Sequence, residues 1–180
     1  MELLNNRLEL LDRLELSGKT CAEIGVQTGD FSVEIDKRCG DLYLIDPFKH
    51  FETGYDGDPA NVAQEEQDKL FDRVMNRFKK EQNVVVMRET SWDAARLMHL
   101  HDTSFDFVYI DANHNFPHVF ADLCVWGSNI KPGGWLCGHD YINTSFPGVR
   151  QAVDYFCRAT GYTVAMGTKE AFGSFAIQVK

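Results

Sequence analysis

Acidic residues, histidines and glycines stand at the ends of apolar runs in this 180-residue chain. Glu23, Gly25 and Gly29 close KTCAEIGV, Asp46 closes LYLIDPF, Asp111 closes FDFVYIDANH, and His139 and Asp140 close GGWLCGHDY. In open α/β sheets ligands bind outside the carboxyl ends of the strands, so these segments outline one pocket. Glu23 offers a carboxylate to a cationic group such as a ligand ammonium, and Gly25 lets a ligand approach the backbone closely. A solvated Glu in a helix-leading turn is the plainer reading of the same residues. Asp46 lies 21 positions after Gly25, near the roughly 20-residue offset at which an acid at the end of the second strand hydrogen-bonds ribose hydroxyls. A nucleoside ligand fits that spacing better than a turn-forming Asp alone. Ser91 and Trp92, after the third strand of the alternating pattern, stand where an adenine would be expected, although Trp92 is also a natural core residue.

Those residues need strands that end together. Thr20 to Val26, Asp41 to Phe48, Val84 to Met87, Phe105 to Ile110 and Trp135 to His139 read as buried strands. Between them, helical faces repeat: Phe31, Ile35 and Cys39; Leu70, Phe71, Val74, Met75 and Phe78; Phe116, Val119, Phe120, Leu123 and Cys124; and Val149, Ala152, Val153, Phe156 and Cys157. Ser91 is read as the cap of a short helix, and Lys131-Pro132-Gly133-Gly134 as a stop. Alternation of this kind argues for a parallel sheet with helices on both faces. The tail YTVAMGTKEAFGSFAIQVK reads as an antiparallel hairpin. Leu4, Leu8 and Leu11 predict an amphipathic helix over residues 2 to 15, an N-terminal addition (1–18) that covers a sheet edge or pairs with a second subunit. Residues 49 to 61, rich in Gly, Asp and Pro, form a loop long enough to act as a lid.

The length fits one domain, residues 1–180, burying roughly 70% of its unfolded surface. With 18 basic and 27 acidic residues the net charge is −9, which disfavours nucleic acid and anionic membranes and favours a small-molecule partner. Cys21, Cys39, Cys124, Cys137 and Cys157 show no paired spacing and read as reduced core residues. Charges at Glu2, Arg7, Glu9 and Asp12 interrupt the N-terminal leucines, so neither a signal peptide nor a membrane span is expected there, and cytoplasmic residence follows. The sequence leaves the possibility of a homo-oligomer open.

The set Glu23-x-Gly25-x-x-x-Gly29, Asp46, the strand ending in Asp111, the Pro132-Gly133-Gly134 turn and the closing hairpin resembles class I S-adenosylmethionine-dependent methyltransferases over residues 19 to 180. More narrowly, Asp111-x-x-His114, the aromatic-rich helix after it and GGWLCGHDY resemble the metal-dependent O-methyltransferases acting on macrolide sugars and cephamycin-type substrates. The resemblance implies a Rossmann-like, doubly wound sheet of seven strands in the order 3-2-1-4-5-7-6, mostly parallel with a C-terminal antiparallel hairpin. It implies S-adenosylmethionine held by Glu23, Gly25, Gly29, Asp46, Ser91, Trp92 and Asp111, and methyl transfer to a hydroxyl of a small molecule. By position, Asp111 and Asp140 match carboxylates that hold a divalent cation, Mg²⁺ or Mn²⁺, and His114 matches the general base beside the catalytic Asp111.

His139 stands where that group has an acid. An imidazole suits Mn²⁺, Fe²⁺ or Zn²⁺ better than Mg²⁺. Plainer roles for these residues are loop capping by Asp111 and Asp140 and helix capping by His114. Two other functions compete. A nicotinamide-dependent oxidoreductase is disfavoured because no G-x-G-x-x-G can be written. A non-catalytic nucleoside-binding module would keep the fold and lose the chemistry.

Overall fold

The computed structural model describes residues 1–55 and 57–180. Along the chain these form β1 (Glu2–Leu4), α1 (Arg7–Arg13), β2 (Thr20–Ile24), α2 (Asp30–Asp36), β3 (Asp41–Ile45), α3 (Gln64–Phe78) and β4 (Val84–Met87). Then follow α4 (Ser91–Leu100), β5 (Phe105–Ile110), α5 (Phe116–Gly127), β6 (Ile130–Gly138), α6 (Pro147–Thr160), β7 (Val164–Thr168) and β8 (Phe175–Gln178). All strands join one sheet in the order β1-β7-β8-β6-β5-β2-β3-β4. Strands β2 to β6 are parallel, and β8 is antiparallel to both β6 and β7.

The central strands are apolar on both faces because both faces are covered. Phe107 and Tyr109 of β5 face a core built with Leu10 and Leu11 of α1, Phe31 and Ile35 of α2, and Val74 and Phe78 of α3. Phe105, Val108 and Ile110 of the same strand face Ala94 and Ala95 of α4, Leu123 and Trp126 of α5, and Val153 and Phe156 of α6. This is the doubly wound Rossmann-like arrangement, and the parallel connections bring the ends of β2, β3, β5 and β6 to one edge.

The sheet has eight strands, not seven, and the N-terminus is not one helix from 2 to 15. Glu2–Leu4 pairs in parallel with Met166–Thr168 of β7. The helix starts only after Asn6, whose side chain accepts hydrogen bonds from the backbone N–H groups of Leu8 and Glu9. An extended cap residue with a side-chain acceptor ends the strand and opens the helix at one point. Leu8 is consequently exposed, while Leu10, Leu11 and Leu14 are buried. With β1 set aside, the remaining order from β4 to β7 is the 3-2-1-4-5-7-6 that the resemblance implies.

Other boundaries move for local reasons. Thr90, not Ser91, caps α4, with its hydroxyl accepting from Asp93 N–H at 3.2 Å. Lys131 to Gly134 lie inside β6, where the pairing with β5 jumps from Phe105↔Ile130 to Phe107↔Trp135, a bulge and not a helix stop. All five thiols are free; Cys21 and Cys137 are buried, but Cys124 is exposed. Among the described residues no helix is long and apolar enough to cross a membrane.

Candidate active site

A cleft of about 880 Å³ opens at the carboxyl ends of the parallel strands. It is lined by Glu23, Gly25, Asp46, Ser91, Trp92, Asp111, His114, His139 and Asp140, so nine of the ten residues singled out from sequence converge there. The tenth, Gly29, does not line it. Gly29 adopts φ +72° at the start of α2, and a Cβ there would press on Val74 and Phe78 of α3, so its role is packing under the turn.

Gly25 also owes its identity to the protein itself. At φ +88° its Cα passes so close to β5 that a Cβ would lie 2.0 Å from the Asp111 carbonyl oxygen. Asp46 anchors the same turn: one carboxylate oxygen accepts from Val26 N–H at 2.9 Å and Gln27 N–H at 3.0 Å, the other from Phe48 N–H at 2.8 Å. An ionised carboxylate has about four lone-pair sites, which leaves one for a hydroxyl in the cleft. Glu23 is 2% exposed. Burial pushes its carboxyl up to about 8, against the lowering effect of the Ser32 hydroxyl that donates to it. A ligand ammonium reaching Glu23 would restore its charge.

Ser91 Oγ donates to Asp122 Oδ1 at 2.5 Å and accepts from Trp126 Nε1 at 2.9 Å, so its hydrogen-bonding capacity is largely used inside the protein. Asp122, buried on α5, is pushed up to about 6 by burial, with the Ser91 hydroxyl opposing. Trp92 is 57% exposed at the rim, which removes the core reading of that residue.

The other end of the cleft is a cluster of charges. His139 Nδ1 lies 3.3 Å from Asp140 Oδ2 and 3.7 Å from Asp111 Oδ2. His114 Nε2 lies 3.0 Å from Asp140 Oδ2 and 3.9 Å from Asp111 Oδ1, while its Nδ1 is 2.8 Å from Asp58 Oδ2. Burial works against a charge on His114, but Asp111, Asp140 and Asp58 outweigh it and hold the ring up to about 11. The three carboxylates thus favour the charged form of the His114 ring.

Chemically, the cluster suits a cation. Asp111, His139 and Asp140 each offer one donor atom within 4.8 Å of the others. His114 Nε2, despite its proximity to Asp140, is buried without an aligned hydrogen bond among the described residues. Two carboxylates and one imidazole, with a second imidazole nitrogen facing them, form a mixed oxygen and nitrogen donor set of the kind that favours Mn²⁺, Fe²⁺ or Zn²⁺ over Mg²⁺.

Sequence patterns missed several lining residues. From the long loop, Asp58 holds His114, Phe51 and Tyr55 stack with centroids 4.7 Å apart, and the Gly54 carbonyl accepts from Asn113 and Asn115 at 2.8 and 2.9 Å. Phe146, preceding α6, stacks on His114 at 4.2 Å. Arg7 reaches in from α1, over the Phe31 ring. The sequence signals for the loop residues were the loop's length and its Gly, Asp and Pro content, neither of which singles out a residue. Arg7 and Asp122 sit in helical patterns that give no sign of a cleft. Asp56, within the proposed lid, lies outside the described residues.

The fold has many solved counterparts. A chain described as a SAM-dependent methyltransferase from Streptococcus mutans superposes with TM-score 0.68 at 12% identity, covering 96% of this chain and 48% of its own, so this chain spans about half of that protein. An O-methyltransferase from Bacillus cereus in complex with SAH gives TM-score 0.65 at 18% identity, covering 97% and 79% of the two chains. The N-methyltransferase NodS from Bradyrhizobium japonicum WM9 in complex with S-adenosyl-L-homocysteine gives 0.63 at 15%, covering 96% and 85%. At such identities the likeness shows the fold alone. Comparison with curated proteins finds no significant match. The family described as methyltransferase domain matches residues 22–141, two thirds of the chain and every strand end that builds the cleft, and the chain belongs to that family.

Proposed function

We propose that this protein transfers the methyl group of S-adenosylmethionine to a hydroxyl of a small molecule, assisted by a divalent cation. The observation that carries the reading is that one cleft joins a glycine turn fastened by Asp46 to the Asp111, His114, His139 and Asp140 cluster. The first part suits an adenosyl group and the second suits an oxygen nucleophile. The solved S. mutans, B. cereus and NodS relatives support the same cofactor through what two of them bind.

Methyl transfer from a sulfonium is an in-line displacement that needs mainly an aligned, deprotonated oxygen and little water. Asp111, Asp140 and His139 would hold the cation, which when bound supplies a lowered pKa to an oxygen ligand. Positive charge beside His114 would favour its neutral ring, with Nδ1–H donating to Asp58 and Phe146 stacked on it, so that Nε2 would accept the acceptor hydroxyl's proton and leave the oxygen free to attack the methyl group. Phe51, Tyr55 and Phe146 line that end and would limit water there. A small neutral or cationic acceptor suits the −9 chain and acid-rich cleft better than a polyanion.

Isothermal titration with S-adenosylmethionine, S-adenosylhomocysteine and NAD tests the cofactor. Both sulfur ligands should bind and NAD should not; heat-silent titrations with both would sink the proposal. Activity on a hydroxyl acceptor should fall after chelation and return with Mn²⁺ at least as well as with Mg²⁺.

A further inference from the structure

Among the described residues Arg7 is the one guanidinium that lines the cleft. The chain goes to some length to place it. Strand β1 pairs with β7, the Arg7 backbone N–H donates to Glu170 Oε1 at 2.8 Å, and the guanidinium carbon lies 4.2 Å over the Phe31 ring. Its ionic contact is slack, Nη1 to Asp111 Oδ2 at 3.8 Å, longer than a hydrogen bond. A planar fork of five donors, stacked on an aromatic face and two-thirds buried, is thus held at the cleft wall beside Glu23.

We infer that Arg7 is a specificity residue that clamps the α-carboxylate of the cofactor's amino-acid end, opposite Glu23, which takes the α-ammonium. This rests on the cofactor reading above. The chemistry is that of a zwitterion: a carboxylate matches the guanidinium fork bidentately, and an ammonium matches a buried carboxylate. An acidic cleft would otherwise repel the ligand's carboxylate, and among its lining residues Lys49 is the other full-time cation. The N-terminal strand and helix are then part of the binding site and not merely a cover for the sheet edge. A carboxylate on the acceptor would be the rival occupant of the fork, and the experiment separates the two.

Calorimetric affinities should be measured for S-adenosylhomocysteine, which carries the amino-acid end, and for 5′-methylthioadenosine, which lacks it. The proteins are wild type, Arg7→Gln and Arg7→Lys. Loss of a charge-assisted contact should weaken S-adenosylhomocysteine about 10- to 100-fold in Arg7→Gln while methylthioadenosine binding stays unchanged. Arg7→Lys, which keeps the charge without the fork, should fall between. Unchanged S-adenosylhomocysteine affinity in Arg7→Gln would overturn the assignment, as it would if Arg7 served the acceptor. Equal weakening of both ligands would overturn it too, since it would mean that the N-terminal segment had merely shifted. If wild type binds neither ligand, the cofactor reading itself falls and Arg7 with it.

Discussion

Asp122 is 4% exposed on α5, and its recorded protein partner is the Ser91 hydroxyl. Unfolded, such a carboxyl ionises near about 3.9, whereas burial holds it at about 6 in the fold. Between those values the native state keeps a proton that the unfolded state has lost. Stability contributed by this group is therefore present at low pH, falls as pH rises from about 4 to about 6, and stays lower above. The magnitude is about 2 to 3 kcal/mol. Asp122→Asn, which can still accept from Ser91, should raise the ligand-free Tm at pH 7.5 by about 5 °C while leaving it little changed at pH 4. Parallel Tm profiles for variant and wild type across that range would show that Asp122 is not the group responsible. Gly25 makes a blunter case. Its φ of +88° and the 2.0 Å approach to the Asp111 carbonyl leave no room for a methyl group. Gly25→Ala should cost more than about 2 kcal/mol, read as a lowered urea midpoint. A variant as stable as wild type would mean that the turn can move off β5.

The loop between β3 and α3 behaves as an element without regular secondary structure. Its own bonds tie Asn61 to Phe51 in both directions, at 2.9 and 2.8 Å, and Ala60 N–H to Asp58. Its outward ties run two ways: Asp58 to His114 and the Gly54 carbonyl to Asn113 and Asn115 on the turn before α5, and Phe48, His50 and Ala60 to Gln64 and Gln67 of α3 and to Arg88. The middle of the loop is therefore tied to that turn, and its residues line the cleft where the chemistry is proposed. Asp58→Ala should speed amide exchange across residues 49 to 61 while leaving β5 as slow as in wild type. S-adenosylhomocysteine should slow exchange of the same loop in the wild-type protein. Equal protection with and without ligand would make it a permanent wall and not a lid.

At the scale of the whole molecule, the parallel, doubly covered sheet was legible because it follows from burial, whereas its strand order came from the family resemblance. Runs such as FDFVYI are apolar on both faces, and only a sheet covered twice accepts them. The strand-end residues were legible for the same reason, since fixing the strands fixes where Glu23, Asp46, Asp111 and Asp140 emerge. What escaped depends on partners far along the chain. Glu2–Leu4 is a strand only because Met166–Thr168 offers an edge, and its leucines fit a helical period equally well. The ties of Asp58 and Arg7 span 56 and more than 100 residues, and no local pattern encodes them. The same convergence predicts how two ligands share the fold. On the proposed function, a cation at Asp111, His139 and Asp140 and an adenosyl ligand at Asp46 would bind in one cleft and only in the native state. Each would then stabilise by mass action, about 2.7 kcal/mol at a hundredfold excess over its Kd, or about 5 to 10 °C in Tm for a chain of this length. Differential scanning calorimetry with Mn²⁺, with S-adenosylhomocysteine and with both should show two upward shifts. In the double variant Asp111→Asn, Asp140→Asn the Mn²⁺ shift should vanish and the S-adenosylhomocysteine shift should survive, because the Asp46 turn keeps its own bonds. Persistence of the Mn²⁺ shift in that variant would place the cation elsewhere, and loss of both shifts would mean that the two ends of the cleft are not separate sites.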